Sequence, residues 1–555
     1  YDALVKHLGH ELPWTVLHLW GITGSEPSFG DAQTAGLLSL TFLDQAFTMA
    51  GGADPIHLAV AADGLFDVAD GDPVHPAKGT VLGAAKVIHQ ESARLTCSGV
   101  DVRPGEAGLE ERLLAEASLG ARGGTAVALR GRRRWVRSFE PARLEPADGS
   151  LLEPGAAYLI TDGVHGGGAA LAELLARSLA ARVALVVPPQ FPPPERWDGW
   201  EGLPAVPPGQ DVIGAAVKRL SGLTAGERER ILLVRAQPGD LTAVRTLGSI
   251  QGVFHTAGAF TGGLVQLKTA EALRAALDPT ALGAEAWLAA LSAEPRAPAF
   301  VLLMSSTLAF TGGLGQLDIA AAGAYLDALA RRRSAEGGPF TVAAHWDPYQ
   351  WDGWLIAAAA GGLAGMQPEE LQKSLTAFGV PAARSGEALR RLLAAPLPQV
   401  VVAARDLPAL IAEADAVTAE SLLSQMAPMH RGEKARRPGL STAYAEPRDE
   451  REARLAALWE ELFGIAPVGV EDSFLELGGH SLLAIQMVTQ IRTLFDADLP
   501  VTALFEAPTI AGLSKLIGRA KGEESEEDLA ALLALVEGLS PEEAERKLAE
   551  MGAAL

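Results

Sequence analysis

Cysteine is nearly missing from these 555 residues: Cys97 stands alone, so no disulfide can close within the chain, and it reads as a small buried hydrophobe. Long apolar runs are missing too. The alanine-rich stretches are broken by Arg, Glu or Gly every few positions, well short of the roughly 20 apolar residues that cross a bilayer as a helix, and no membrane association is expected. Positive charge is scarce: 46 Lys and Arg against 68 Asp and Glu leave a formal charge of −22, which repels phosphate backbones. There is no basic stripe interleaved with aromatics, so nucleic acid is set aside as a partner. No positively charged, apolar leader opens the chain, and the expected location is the reducing cytoplasm. A start at Tyr1 reads as a piece cut from something longer.

What is present is length and rhythm. A chain of this size, 48% hydrophobic and 21% charged, exceeds one core and predicts two to four domains. Short apolar runs (TVLHLW, HLAVAAD, LTCSGVDV, GTAVALR) alternate with helical stretches such as 36–50 and 77–91, the pattern of a parallel α/β sheet. The rhythm restarts at AAYLITDG (156–163) and continues through ARVALVVP, ILLVRAQ, GVFHTAG, AFVLLMSS and FTVAAHW, which predicts a second α/β unit. Periodicity lapses between Met429 and Arg451, and residues 429–448 read as a linker. Beyond it, helices are expected at 451–463, 481–494 and 509–519 with a turn near LFEAP, a small all-α bundle spanning 449–521.

Within that bundle, DSFLELGGHSLLAIQMVTQIR (472–492) sets a serine at the start of an amphipathic helix, just after two glycines that permit a close turn. With Asp472-Ser473-Phe474 leading in, GGHSL at 478–482 and LFEAPTIAGL at 504–513, the segment resembles the phosphopantetheine attachment motif of acyl and peptidyl carrier proteins. The resemblance implies a four-helix carrier bundle in which Ser481 accepts 4′-phosphopantetheine from a phosphopantetheinyl transferase and then carries an acyl chain as a thioester. His480 belongs to the recognition surface on this reading. The GGHS form leans toward the peptidyl type, although hybrid assembly lines place it before acyl chains as well.

Residues 1–420 resemble the two-part ketoreductase of modular polyketide synthases, a relative of the short-chain dehydrogenases, in which a truncated structural half (1–150) precedes a catalytic half (151–428). The landmarks are PAKGTVLGAAKVIHQES (76–92), YLITDGVHGGG, GVFHTAGAF and SSTLAFTGGLGQLDIAAAGAYLDALA. The resemblance implies two Rossmann-like subdomains and a place downstream of ketosynthase and acyltransferase domains, and in some modules a methyltransferase, in assemblies that are often homodimeric.

Each landmark can be set against what hydride transfer needs. Where the family writes TGGxGxxG to bring bare amides to a pyrophosphate, this chain has Thr161-Asp162-Gly163-Val164-His165-Gly166-Gly167-Gly168, with a carboxylate and an imidazole replacing two glycines. The arginine that pairs with the 2′-phosphate of NADPH is replaced by Pro188, and the acidic residue near the adenine by Gln237. Ser306 remains, but the family's tyrosine acid is Ile319, its asparagine Gly323 and its lysine Thr280. Tyr325, six residues past Ile319, lies some 240° around the helix and does not substitute. Losses at the glycine loop, the 2′-phosphate position, the acid and the lysine point one way, to a pseudo-ketoreductase that does not bind NADPH and serves as scaffold, with Ser306 a strand-end hydrogen bonder. The other reading left open is an active NADPH-dependent β-ketoacyl-thioester reductase with an unorthodox proton donor.

Two further features stand out. His345-Trp346-Asp347-Pro348-Tyr349-Gln350-Trp351-Asp352-Gly353-Trp354 either packs as a lid over the sheet edge or lines a groove, and His255 reads as structural. The tail 522–555 carries ten acidic residues against Arg546 and Lys547, with Ser540-Pro541-Glu542-Glu543 starting a helix. It resembles a docking segment for a downstream synthase module; a solvated acidic tail is the other reading.

Overall fold

Strongly β-branched and apolar runs account for the two main sheets. In the first, β1 (Thr15–Gly21), β2 (Ile56–Asp63), β3 (Leu95–Val102), β4 (Ala126–Arg130) and β5 (Arg133–Val136) lie in the order β1-β2-β3-β4-β5, with β5 returning antiparallel on β4. In the second, β6 (Ala157–Ile160), β7 (Arg182–Val186), β8 (Ile231–Val234), β9 (Ile250–His255), β10 (Phe300–Ser306), β11 (Phe340–Trp346) and β12 (Gln399–Val402) are all parallel, in the order β12-β11-β10-β9-β6-β7-β8. This is the doubly wound, Rossmann-like arrangement, whose strand order reverses between β6 and β9. The expected strands are all present. β5 and β12 have no counterpart among the expected strands.

The structure is a computed structural model. It describes residues 1–521 other than 9–12, 51–53, 70, 93, 120–125, 145–150, 166, 201, 203–210, 257, 259–261, 349–372, 374, 378, 396, 417–433, 439, 441, 478, 480, 498 and 500–502. The chain divides into two compact units, Tyr1–Gln425 and Met426–Leu555. Among the described residues no helix is long and apolar enough to cross a membrane.

Four helices of the first unit frame its central crevice: α1 (Pro76–Glu91), α2 (Gly168–Ser178), α3 (Ala270–Ser292) and α4 (Leu317–Glu336). Helix α1 starts with proline at its first position, where a missing N–H costs nothing. It joins the two sheets' layers by lying directly on α4. A Cβ added at Gly83 would stand 2.3 Å from the carbonyl carbon of Ala320 and the nitrogen of Ala321, and one at Gly79 would stand 2.9 Å from the Ala324 oxygen. Glycine-to-alanine in a helix ordinarily stabilises by up to about 1 kcal/mol; at Gly83 the sign should reverse, because backbone would have to yield. Gly83→Ala is therefore expected to destabilise this unit by about 1–3 kcal/mol, read as a lower thermal midpoint.

The end of α1 also holds the loop that leads into α4. Glu91 accepts hydrogen bonds from the backbone N–H of Val265 (2.6 Å) and Gly315 (2.7 Å). Gln90 accepts from Gly313 N–H (2.7 Å) and donates to the Thr311 carbonyl (2.8 Å). Burial raises the Glu91 carboxyl to about 8, so near neutral pH it keeps much of its protonated form. The 76–92 landmark thus clamps the truncated half onto the second sheet. Cys97 is buried in β3, and burial pushes its thiol up.

The second unit is a helical bundle: α5 (Glu450–Phe463), α6 (Ser481–Phe495), α7 (Ala503–Glu506) and α8 (Ile510–Ala520) around Leu455, Trp459, Phe474, Met487, Ile491, Leu504 and Leu513. Asp449 caps α5 by accepting from Glu452 N–H (2.7 Å), and Gly464 ends it at φ 63°. Part of the stretch that composition marks as linker belongs to this unit. Ala435–Arg436 pair with Ile465–Ala466 as a two-stranded ribbon, and Leu440 and Ala445 pack on the bundle core. Polar composition hides this, because the ribbon is two residues long and its main anchor, the pair between Arg437 and Asp472, is ionic.

Candidate functional site

At the β6/β9 switch point the carboxyl ends of the strands should open a crevice. Here a hydrogen-bond network ties the ends of the two strands together. Thr256 Oγ1 donates to the Asp162 carbonyl (2.7 Å), Thr256 accepts at Oγ1 from Asp162 N–H (3.0 Å), and Thr256 N–H donates to Thr161 Oγ1 (3.2 Å). His255 adds two bonds, with Thr161 Oγ1 at Nδ1 (3.0 Å) and the Thr280 carbonyl at Nε2 (2.9 Å). A carbonyl can only accept, so Nε2 carries the proton and Nδ1 accepts from Thr161. Burial lowers His255 to about 4, so the ring is neutral at physiological pH.

Asp162 does more than add charge to the loop. Its Oδ1 accepts from the backbone N–H of Val164 (2.7 Å) and His165 (3.1 Å), and its Oδ2 meets His165 Nδ1 at 2.9 Å. Gly163 N–H is bonded to the Val186 carbonyl and Gly168 N–H to the His165 carbonyl. Four of the amides that a phosphate-binding loop would turn outward are thereby engaged inside the protein. Gly168 begins α2, and a Cβ there would lie 1.7 Å from the Asp162 oxygen, so that glycine serves the loop's own close approach. Burial alone would lower His165, but the neighbouring Asp162 carboxylate outweighs it and raises the imidazole. Gly166 lies outside the described residues. The signal for this arrangement is present in the sequence: an aspartate two and three positions before the amides it accepts from is the spacing of an Asx turn.

The other positions are scattered rather than convergent. Ser306 ends β10, its Oγ accepts from Leu308 N–H (3.2 Å), and its carbonyl faces His345 Nδ1 (3.2 Å). His345 is buried and pairs through Nε2 with Asp327. Ile319 lies in the first turn of α4, its N–H bonded to Asp318 Oδ1 (3.0 Å). Asp318 itself forms a buried ion pair with Lys268 at 3.1 Å, a lysine that sequence reasoning misses because it precedes α3 outside any motif. Thr280 is buried in α3. At Gly323 a Cβ would stand 2.6 Å from the Ala309 Cβ and 2.9 Å from Ser305 Oγ, and Ser305 Oγ is buried with no hydrogen-bond partner among the described residues. Tyr325 is buried with its hydroxyl donating to Glu285 (2.9 Å); burial, reinforced by that carboxylate, raises its pKa. Pro188 turns the chain after β7, its carbonyl accepting from Phe191 N–H (3.0 Å), and Gln237 is exposed after β8. Of the aromatic cluster, His345, Trp346 and Asp347 are buried at the end of β11, while Tyr349 to Trp354 lie outside the described residues. Among the described residues no group of His, Cys, Asp or Glu is placed to hold a metal ion.

In the second unit α6 starts at Ser481. The side chain of Ser481, and Gly478 and His480, lie outside the described residues, as does the tail 522–555. The approach to the serine is described. Gly479 N–H donates to the Phe474 carbonyl (2.7 Å), and a Cβ at Gly479 would lie 2.3 Å from that oxygen, so only glycine fits the turn. Asp472, at the head of the motif, is buried. Its carboxylate accepts from Arg437 Nη2 (2.6 Å) and Nε (2.9 Å), from Gly469 N–H (2.8 Å) and from Thr442 Oγ1 (3.1 Å). Burial would raise this carboxyl; the Arg437 fork and the Gly469 N–H overcome it and hold it below its usual range. The stabilisation is complete above the unfolded carboxyl value of about 3.9 and is lost as pH falls through the lower folded value. Asp472→Asn should cost the carrier unit about 2–3 kcal/mol at neutral pH, seen as faster hydrogen exchange in α5, α6 and α8.

Comparison with known proteins fits both units. The "Phosphopantetheine attachment site" family matches residues 453–517 and the "KR domain" family matches 238–350. Tyrocidine synthase 3 of Brevibacillus parabrevis is 48% identical over 81 residues, 15% of this chain and 1% of that protein. Polyketide synthase GfsB of Streptomyces halstedii is 30% identical over 487 residues, 83% of this chain and 8% of that protein. This chain therefore spans only a small share of these relatives' length. Among solved structures, the adenylation, ketoreductase and pseudo Asub multidomain structure of a keto acid-selecting NRPS module superposes with a TM-score of 0.59 at 17% identity, over 76% of this chain and 34% of that one. The first ketoreductase of the tylosin PKS gives 0.54 at 22%, over 75% and 83%. The chain joins a Rossmann-like KR domain to a helical phosphopantetheine carrier domain, a pairing consistent with a fragment of a polyketide or hybrid polyketide/nonribosomal peptide synthase.

Proposed function

We propose that Ser481 receives 4′-phosphopantetheine and thereby tethers a growing acyl chain as a thioester, while the KR domain has lost hydride transfer and works as scaffold. In the loading step the Ser481 hydroxyl oxygen forms the new bond to phosphorus, a phosphopantetheinyl transferase takes up its proton, and the nucleotide half of coenzyme A leaves. The arm's thiol does the later acyl chemistry; the protein presents it at the start of α6.

The observation that carries the scaffold reading is the Asp162 carboxylate on the amides of Val164 and His165. A dinucleotide pyrophosphate would have to displace an anion already bonded there and then sit beside it. Pro188 offers no guanidinium for a 2′-phosphate, and Ile319 has no proton to give. The residues present do not fit NADPH. The buried, unpartnered Ser305 hydroxyl facing Gly323 fits the loss of a polar side chain followed by collapse of Ala309 into the space. Reduction of a β-ketoacyl thioester by the chain with NADPH would overturn this half of the reading.

A module of this kind would pass its β-keto group on unreduced, with ketosynthase and acyltransferase domains, and in some modules a methyltransferase, upstream. The tail 522–555 would recruit the next synthase polypeptide, and the assembly would be a homodimer. Tyrocidine synthase 3 matches over 81 residues, 15% of this chain, whereas the polyketide synthase matches over 83% of it, and the presence of both kinds of relative supports a hybrid setting.

A further inference from the structure

The second sheet ends on one side at β12, whose sole sheet neighbour among the described residues is β11. Ala343 N–H donates to the Pro398 carbonyl and Asp347 N–H to the Val402 carbonyl. In a parallel ladder alternate residues turn both backbone groups the same way, so Pro398, Val400 and Val402 serve β11, and Gln399, Val401 and Ala403 turn theirs outward. No described residue hydrogen-bonds to the outward backbone groups of Val401 or Ala403.

Gln399 to Ala403 line a cleft of about 1160 Å³ together with residues 137–144. Five arginines line it, Arg137, Arg143, Arg331, Arg391 and Arg405, against Glu140 and Asp406. That balance is opposite in sign to a chain with a net charge of −22. Some of this charge is spoken for: Arg391 bonds Glu387 (2.7 Å) and the Leu144 carbonyl (3.0 Å), Arg331 bonds Gln399 Oε1 (2.7 Å), Arg405 has an interaction of its own, and Asp406 accepts from Ala409 N–H (2.8 Å). Arg137 lies over the Phe310 ring at 4.8 Å, and its crowded surroundings lower its pKa despite the field of the Asp327 carboxylate, so it adds less to the cleft than its solvent exposure suggests. Arg143 is exposed with no carboxylate partner among the described residues.

We propose that this cleft is a docking site for an extended acidic segment of a partner polypeptide, which adds beside β12 as an eighth strand with its carboxylates on the arginines. Three features converge on that occupant. An open strand edge selects an extended backbone. Guanidinium forks select carboxylates. The rest of the surface, being acidic, disfavours binding such a segment elsewhere. The site shares no residue with the β6/β9 switch point, so it stands whether or not the KR domain is catalytic.

The test is fluorescence anisotropy with the whole chain and a fluorescein-labelled octapeptide of alternating valine and glutamate, since alternation puts all carboxylates on one side of a strand. Binding is expected, weakened by salt. Arg143→Glu should weaken it by about tenfold. Val401→Pro removes one outward N–H at a position where an edge strand tolerates proline, and should weaken binding by at least about tenfold. Circular dichroism confirms that each variant is folded. Absence of binding, equal binding of the valine–lysine counterpart, or full binding to folded Val401→Pro would each overturn the proposal.

Discussion

Incubated with a phosphopantetheinyl transferase and coenzyme A, the chain should gain the mass of one phosphopantetheine, and Ser481→Ala should gain none. The effect is all or nothing, because an attachment oxygen has no partial substitute. It should also be local. The carrier bundle is held by Leu455, Trp459, Phe474, Met487 and Leu513, and the turn into α6 by Gly479, so removing one hydroxyl leaves the bundle folded. Gly479→Ala provides the contrasting case: its serine is intact, but the added Cβ meets the Phe474 carbonyl and distorts the presentation of α6. Its loading should be slow while Ser481→Ala is dead, measured by intact-mass time courses. Labelling of the wild type on a peptide lacking Ser481 would sink the assignment.

Titrated with NADPH, the chain should show no change in cofactor fluorescence, and turnover of a β-ketoacyl thioester should stay at background. Ile319→Tyr restores the missing hydroxyl, and a positioned acid is commonly worth about 10²- to 10⁴-fold, yet no rescue is expected. The acid acts only on a bound, oriented substrate and cofactor, and Asp162 still holds the loop amides. Combining Ile319→Tyr with Asp162→Gly frees those amides and removes the charge, but leaves Pro188 and the filled space at Gly323. Adding Gly323→Asn should lower stability by about 1–3 kcal/mol, since its Cβ would meet Ala309. Turnover in the unaltered chain would end the scaffold reading and leave the Ser481 assignment untouched. Recovery of turnover by Ile319→Tyr alone would show that cofactor binding had survived.

Legibility of the site differs from residue to residue. Ile319 in place of tyrosine and Pro188 in place of arginine are chemical absences, visible in sequence because a side chain either has the needed group or lacks it. What Asp162 does instead is not visible as a bond. It depends on the backbone turning the Val164 and His165 N–H groups back onto the carboxylate. Gly323 is legible as a lost asparagine, but not as a place where no side chain fits; that depends on how closely α4 lies against Ala309. The Glu91 clamp joins residues 174 and 224 positions apart, beyond the reach of any local pattern. Arg437 reads as linker because ion-pair partners have no periodicity, and Asp472 is 35 residues away.

Sequence by itself determined the division into α/β and all-α parts, the carrier motif around Ser481 and the missing reductase groups. Each rests on local pattern: short apolar runs alternating with helical repeats, glycines at fixed offsets and the identity of single side chains. Tertiary structure alone decided which groups meet. It put the Asp162 carboxylate on its own loop, packed Gly83 against Ala320, tied Asp472 to Arg437 and left the arginine-lined edge of β12 open. Apart from the Asp162 turn, whose partners lie two and three residues on, those outcomes depend on contacts between distant residues, whose free energies are set by packing and burial that no short stretch of sequence encodes.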